Sequence, residues 1–191
     1  MRGWHPLLLL LLALFALAGC EAPRVSRSID TTLGGGDFDS QISFWHTLNG
    51  QALTSNDDAA HGLLLFFDGH DDSTTYDQRV ARLRQLGLLP SSFHGAANQA
   101  VQRGTVAYAA VKGLHIQGGW VMTLFGVTPR YAIRQLEYLN LFPPSSPQQL
   151  LAGAEFVGII GKLQDYQEKN PIDLPATQLP PPTRPPLGGA R

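Results

Sequence analysis

The densest group of side chains able to do chemistry is Asp68-Gly69-His70-Asp71-Asp72. Three carboxylates and an imidazole could ligate a cation, but the order of a calcium loop is missing: alternating acids, Gly at the sixth place and a late Glu. A solvated loop between helices, its acids facing a helix N-terminus, accounts for the cluster more simply. His46, His61, His70, His94 and His115 show no His-Glu-x-x-His and no other zinc spacing. Gly-x-Ser-x-Gly and the glycine-rich phosphate loops are absent. Asp77, Glu137 and Glu155 are the interior acids on which a sugar hydrolase could draw, and each also fits a helix surface. Cys20 is the only Cys. Thiol catalysis in the folded part, an internal disulfide and a Cys-based zinc site are thereby excluded. The expectation is a non-enzymatic protein without metal or cofactor.

The elements that carry these residues fit in 191 positions, 43% apolar, 15% charged, with a formal charge of −1. That is one domain of ordinary size, far from the composition of disordered chains. Neutrality argues against nucleic acid as a partner, because a binder displaces counterions with a basic surface. At the start, Arg2 is followed by Leu7 to Ala18, a stretch without charge or polarity. It is shorter than the ~20 residues that cross ~30 Å of hydrocarbon. A basic start, a short apolar centre and small residues at the exit describe a secretory signal peptide over residues 1–19.

The exit, Leu17-Ala18-Gly19-Cys20, resembles the lipobox of bacterial lipoproteins at all four positions. The resemblance implies that the Cys20 thiol receives a diacylglyceryl group, that the bond before it is cut, and that the new amino terminus is acylated. Each buried methylene contributes ~0.8 kcal/mol, so several chains hold a protein in a membrane where one holds it marginally. The location implied is the extracytoplasmic side of a membrane of the cell envelope. Glu21 stands where that family uses Asp for inner-membrane retention, which favours the outer membrane where one exists.

Residues 20–37 read as the lipidated Cys and a flexible tether, whose residues 21–37, poor in apolar side chains and including Gly34-Gly35-Gly36, span roughly 23 Å. Residues 170–191 hold half of the chain's 14 prolines and read as a disordered, polyproline-like tail. Between them, residues 38–169 predict a compact all-α domain. Ser55 and Asn56 are cap candidates before Asp57 and Asp58, and Ala60, Leu63, Leu64 and Phe67 follow at helical spacing to Asp68-Gly69. Thr75-Tyr76-Asp77-Gln78 is a capping box, opening a helix that buries Tyr76, Val80, Leu83 and Leu86 and stops at Gly87. A third helix runs from about Gly104 to Leu114. Thr128-Pro129 caps a fourth, and a last spans about Ala154 to Gln167.

Two helix pairs look alike. Shifted by 53 positions, Val80 falls on Ile133, Leu83 on Leu136, Leu86 on Leu139, Leu88 on Leu141, Leu89 on Phe142 and Pro90 on Pro143. Gly87 meets Asn140, the two residue types that enter the left-handed conformation closing a helix. After a shorter loop in the second copy, Arg103-Gly104-Thr105 falls on Gly153-Ala154-Glu155, and Ser55 to Leu64 reads as half of a third copy after a short helix around Phe44-Trp45. This unit resembles the S-layer homology repeat: a helix, a Gly-Leu-Ile-type exit, a polar loop, and a second helix opening with Thr-Arg-Ala-Glu. Here Arg103 matches the family Arg and Glu155 the family Glu, in different copies. The resemblance implies a domain of two to three helix–loop–helix pairs that binds cell-wall polymer in grooves between them, using that Arg.

Ile116 to Gly126, with Gly118-Gly119 expected to break the preceding helix, reads as a short helix packed over the core or as an apolar patch for a partner or bilayer. The candidate contact residues are therefore Arg103, Trp120, Arg130 and Glu155: the arginines for anionic groups, Trp120 for stacking on a sugar. The expected partners are a membrane, through the lipid, and cell-wall polysaccharide or another envelope protein. A subunit of an envelope assembly and a wall hydrolase are the alternatives.

Overall fold

A computed structural model describes residues 23–26, 28–29 and 38–171. The expected signal peptide, Cys20 and nearly all of the Pro-rich tail lie outside the described residues. Seven helices and no strand occur among them: α1 (Phe38–Asn49), α2 (Asn56–Phe67), α3 (Tyr76–Gln85), α4 (Arg103–Gly113), α5 (Trp120–Phe125), α6 (Pro129–Tyr138) and α7 (Gly153–Lys169). The fold is all-α.

Local signals set the helix ends. Ser55 Oγ accepts the Asp58 N–H at 3.0 Å at the start of α2. Thr75 Oγ1 accepts the Gln78 N–H while Gln78 Oε1 accepts the Thr75 N–H, closing the box at α3. Thr128 Oγ1 accepts the Tyr131 N–H ahead of α6, with Pro129 first in the helix. The α3 and α6 exits are the same device. Gly87 and Asn140 have φ of 71° and 58°, and the Leu88 and Leu141 N–H groups reach back to Leu83 O and Leu136 O at 2.8 and 2.9 Å. His115, at φ 51°, ends α4 the same way, with Ile116 N–H on Val111 O. The helix thus stops before Gly118-Gly119, not at that pair.

Helix packing is cyclic. The second helix of each pair lies against the first helix of the next: α2 on α3, α4 on α6, and α7 on α1. The three positions just before the caps of α2, α4 and α7 are joined by backbone hydrogen bonds into a closed triangle. Thr54 N–H donates to Leu151 O (2.8 Å), Val101 N–H to Thr54 O (2.9 Å) and Leu151 N–H to Val101 O (3.2 Å). All three residues are buried, so the triangle satisfies backbone groups that solvent cannot reach. Around it the core collects Leu48, Leu63, Leu83, Val106, Leu136, Phe156 and Leu163. Each such side chain contributes about 1.5–3 kcal/mol by leaving water. Gly153 is required by this closure: a Cβ there would lie 1.7 Å from Leu48 O. The end of α1 therefore seats directly on the start of α7.

The stretch expected to be a tether is, in its described part, docked. Val25 N–H donates to Asn98 O at 2.7 Å and Ala100 N–H to Pro23 O at 3.0 Å, an antiparallel bridge centred on Arg24 and Gln99. Ile29 N–H donates to Asp58 Oδ1 at 2.8 Å, and the Ile29 side chain packs on the core. Backbone hydrogen bonds at Pro23, Val25 and Ile29, with the Ile29 side chain on the core, hold a stretch whose composition is that of a solvated one.

Candidate functional site

Arg103 and Glu155, at the openings of α4 and α7, are brought together. The Arg103 Nη2 donates to Glu155 Oε1, while Glu155 Oε2 accepts the Ala152 N–H at 3.1 Å and so caps α7. Arg103 is only 2% exposed. Expected as a polymer contact, Arg103 is enclosed by the domain and couples two helix openings. Its Nε and Nη1 have no hydrogen-bond partner, a cost that the pair with Glu155 offsets.

Arg130 stands differently. It is exposed in the first turn of α6, one helical turn from Arg134, which is also exposed. Residues four apart share a helix face, and both arginines line an open pocket of about 540 Å³ with Thr128, Glu137, Ser145 and Gln148. Glu137 Oε1 accepts the Ser145 N–H at 2.7 Å, fixing the loop that forms the far wall. No ion pair is formed by either arginine among the described residues. Two guanidiniums, a hydroxyl-bearing rim and a helix N-terminus make a place for carboxylate or phosphate groups.

Trp120 does not line that pocket. It begins α5 and is 75% exposed, as are Leu124 and Phe125 at 67%. Among the described side chains of this helix, Met122 is the one packed on the core. The expectation that the segment covers the core is thus corrected for three of its large side chains, which form an apolar patch on the surface.

A second polar centre was not expected from the sequence. Asp71 is buried, not solvated. Its Oδ2 accepts from His61 Nδ1 and from Arg79 Nε, both at 2.6 Å, and its Oδ1 accepts the Ser73 N–H at 2.9 Å. Arg79 also donates through Nη1 to Asp57 at 2.7 Å and through Nη2 to Ser73 O. Burial pushes the Asp71 carboxyl up, but the hydrogen bonds from His61, Arg79 and Ser73 outweigh it and hold the group well below the usual carboxylate range. For Arg79, burial is outweighed in the same way by Asp71 and Asp57, and the guanidinium is held above its ordinary value. The edge of His61 meets the Phe44 ring at 4.5 Å between centroids. This network joins α2 to α3 and fixes the 68–73 loop. The signal for it lies in the sequence: Arg79 sits between Tyr76 and Leu83 on the apolar face of α3, and His61 interrupts an apolar run. A charge on a core-facing position requires a buried partner.

The rest of the cluster is peripheral. Asp68 accepts two hydrogen bonds from Arg82, at 2.7 and 3.0 Å, and these lower its pKa. Among the described residues no group of three or more His, Cys, Asp or Glu is arranged to hold a metal. Of the acids considered for sugar hydrolysis, Asp77 is exposed in the first turn of α3, and Glu137 and Glu155 are engaged in their own loop and helix opening. No described helix is long and apolar enough to cross a membrane. In comparison with known proteins, no family model matches the chain and no curated protein matches it.

Proposed function

We propose that this chain is a lipid-anchored protein of the bacterial cell envelope, non-enzymatic, whose helical domain binds anionic cell-wall polymer. The observation that carries the binding half is the open pocket on α6, where Arg130 and Arg134 project side by side without a partner carboxylate. The anchor half rests on Leu17-Ala18-Gly19-Cys20. The cyclic packing of three helix pairs supports kinship with the S-layer homology unit. The helix openings align through the hydrogen-bonded triangle as Ser55-Asn56-Asp57-Asp58, Gln102-Arg103-Gly104-Thr105 and Ala152-Gly153-Ala154-Glu155. Only one of the three carries the family Arg, and that one is enclosed. Binding is therefore assigned to Arg130 and Arg134 and not to Arg103.

Co-sedimentation of the soluble domain with purified cell-wall sacculi tests this. Retention that falls with added salt and disappears in Arg130→Ala/Arg134→Ala is the expected result. No retention of the parent domain, or full retention of the double variant, overturns it. A second reading, a protein-binding subunit of an envelope assembly, is favoured by the exposed Trp120, Leu124 and Phe125. It predicts a stoichiometric protein partner in detergent extracts, lost in Trp120→Ser/Phe125→Ser.

A further inference from the structure

The docked segment bears on how the domain meets the membrane. Pro23 is held by Ala100 and Val25 by Asn98, and the segment is fixed again at Ile29 by Asp58. Pro23 is three residues on from Cys20, with Glu21 and Ala22 between them. Three residues reach at most ~11 Å even when fully extended, against the roughly 23 Å expected of a free tether of 17 residues. A lipid on Cys20 therefore keeps Asn98 and Ala100, the residues that hold Val25 and Pro23, close to the bilayer.

The chemistry of that loop fits the location. From Gln85 to Gln102 there is no Asp or Glu, whereas residues 68–77 carry four Asp. Anionic headgroups repel carboxylates across a Debye length of ~8 Å, and this stretch has none to repel. Ser91, Ser92, His94, Ala96 and Asn98 are exposed on it. We propose that the 91–100 loop, clamped to residues 23–25, is the face of the domain that lies on the headgroups of the bilayer carrying the Cys20 lipid. The inference rests on the lipid-anchor reading above. α7 starts beside the hydrogen-bonded triangle and runs 17 residues to Lys169, ~25 Å along its axis. Lys169, exposed at the end of α7, serves as the reference position.

The test uses the full-length lipidated protein in phosphatidylglycerol/phosphatidylethanolamine nanodiscs. Cys20 is consumed by the lipid, so Asn98→Cys or Lys169→Cys provides a single thiol for a fluorophore, read with headgroup nitroxide lipids. The expected result is several-fold stronger quenching at position 98 than at 169. Adding Val25→Pro and Ile29→Pro together, which removes the N–H groups donated to Asn98 and to Asp58, brings position 98 down to the level of 169. Equal quenching at the two positions in the parent background, or quenching at 98 that survives the double variant, overturns the proposal and leaves the anchor reading standing. A mature chain that mass spectrometry shows without lipid on Cys20 overturns both.

Discussion

Replacing Asp71 by Asn removes one charge from the network that joins α2, α3 and the 68–73 loop. In the folded chain Asp71 Oδ2 receives His61 Nδ1 and Arg79 Nε at 2.6 Å each, and the Asp71 side chain is fully enclosed. Removing one partner of a buried pair costs about 3–5 kcal/mol, because the other charge stays buried without compensation. Arg79 keeps Asp57 and Ser73 O, and Asn retains one acceptor oxygen, so the lower end applies: about 3 kcal/mol. For a domain of this size that is a fall in Tm of roughly 10 °C. Thermal and urea melts of the soluble domain, followed by far-UV circular dichroism, measure it. The pH dependence has a definite sign. Asp71 is held below its ordinary value when folded, so its contribution is present above the unfolded carboxylate pKa of ~3.9 and fades as pH falls below it toward the depressed folded value. The gap between parent and Asp71→Asn should be full at pH 7 and shrink below pH ~4. Arg82→Ala, which opens the solvent-facing pair with Asp68, should melt with the parent. A Tm for Asp71→Asn indistinguishable from the parent at pH 7 would refute the network as a structural joint.

Other substitutions probe separate joints. Gly153→Ala places a methyl against Leu48 O and should cost at least ~3 kcal/mol or prevent folding, read by the same melts. Gly87→Ala should cost about 1–2 kcal/mol, since Gly87 has positive φ with open space around it, whereas Asn140→Gly at the equivalent exit should leave the melt unchanged or raise it. Arg130→Ala/Arg134→Ala should abolish sacculus binding without moving the melt, because both side chains are exposed.

Features fixed by neighbours in sequence were legible in it. The box at Thr75 and Gln78, Thr128-Pro129, and the left-handed stops at Gly87 and Asn140 each depend on three to six consecutive residues. The spacing of Val80 and Leu83, and the same spacing of Ile133 and Leu136, marks four residues that the fold buries. The polar partnerships could not be read the same way. Arg103 finds Glu155 across 52 positions, and Arg79 finds Asp57 across 22. These separations close only when the ring of helices closes. The same holds for Pro23 to Val25, whose partners at Asn98 and Ala100 are set by the fold and not by local composition. Arg130 and Arg103 both stand near helix starts, and burial, which spacing in the sequence alone does not separate, divides them.

The envelope assignment depends on the chemistry of a single sulfur, and the mass of the mature amino-terminal peptide decides it. From membranes of an expressing bacterium, the expected peptide begins at Cys20 and carries a thioether-linked diacylglyceryl group and an acylated amine. A peptide with a free Cys20 thiol, or one still joined to Gly19, would contradict it.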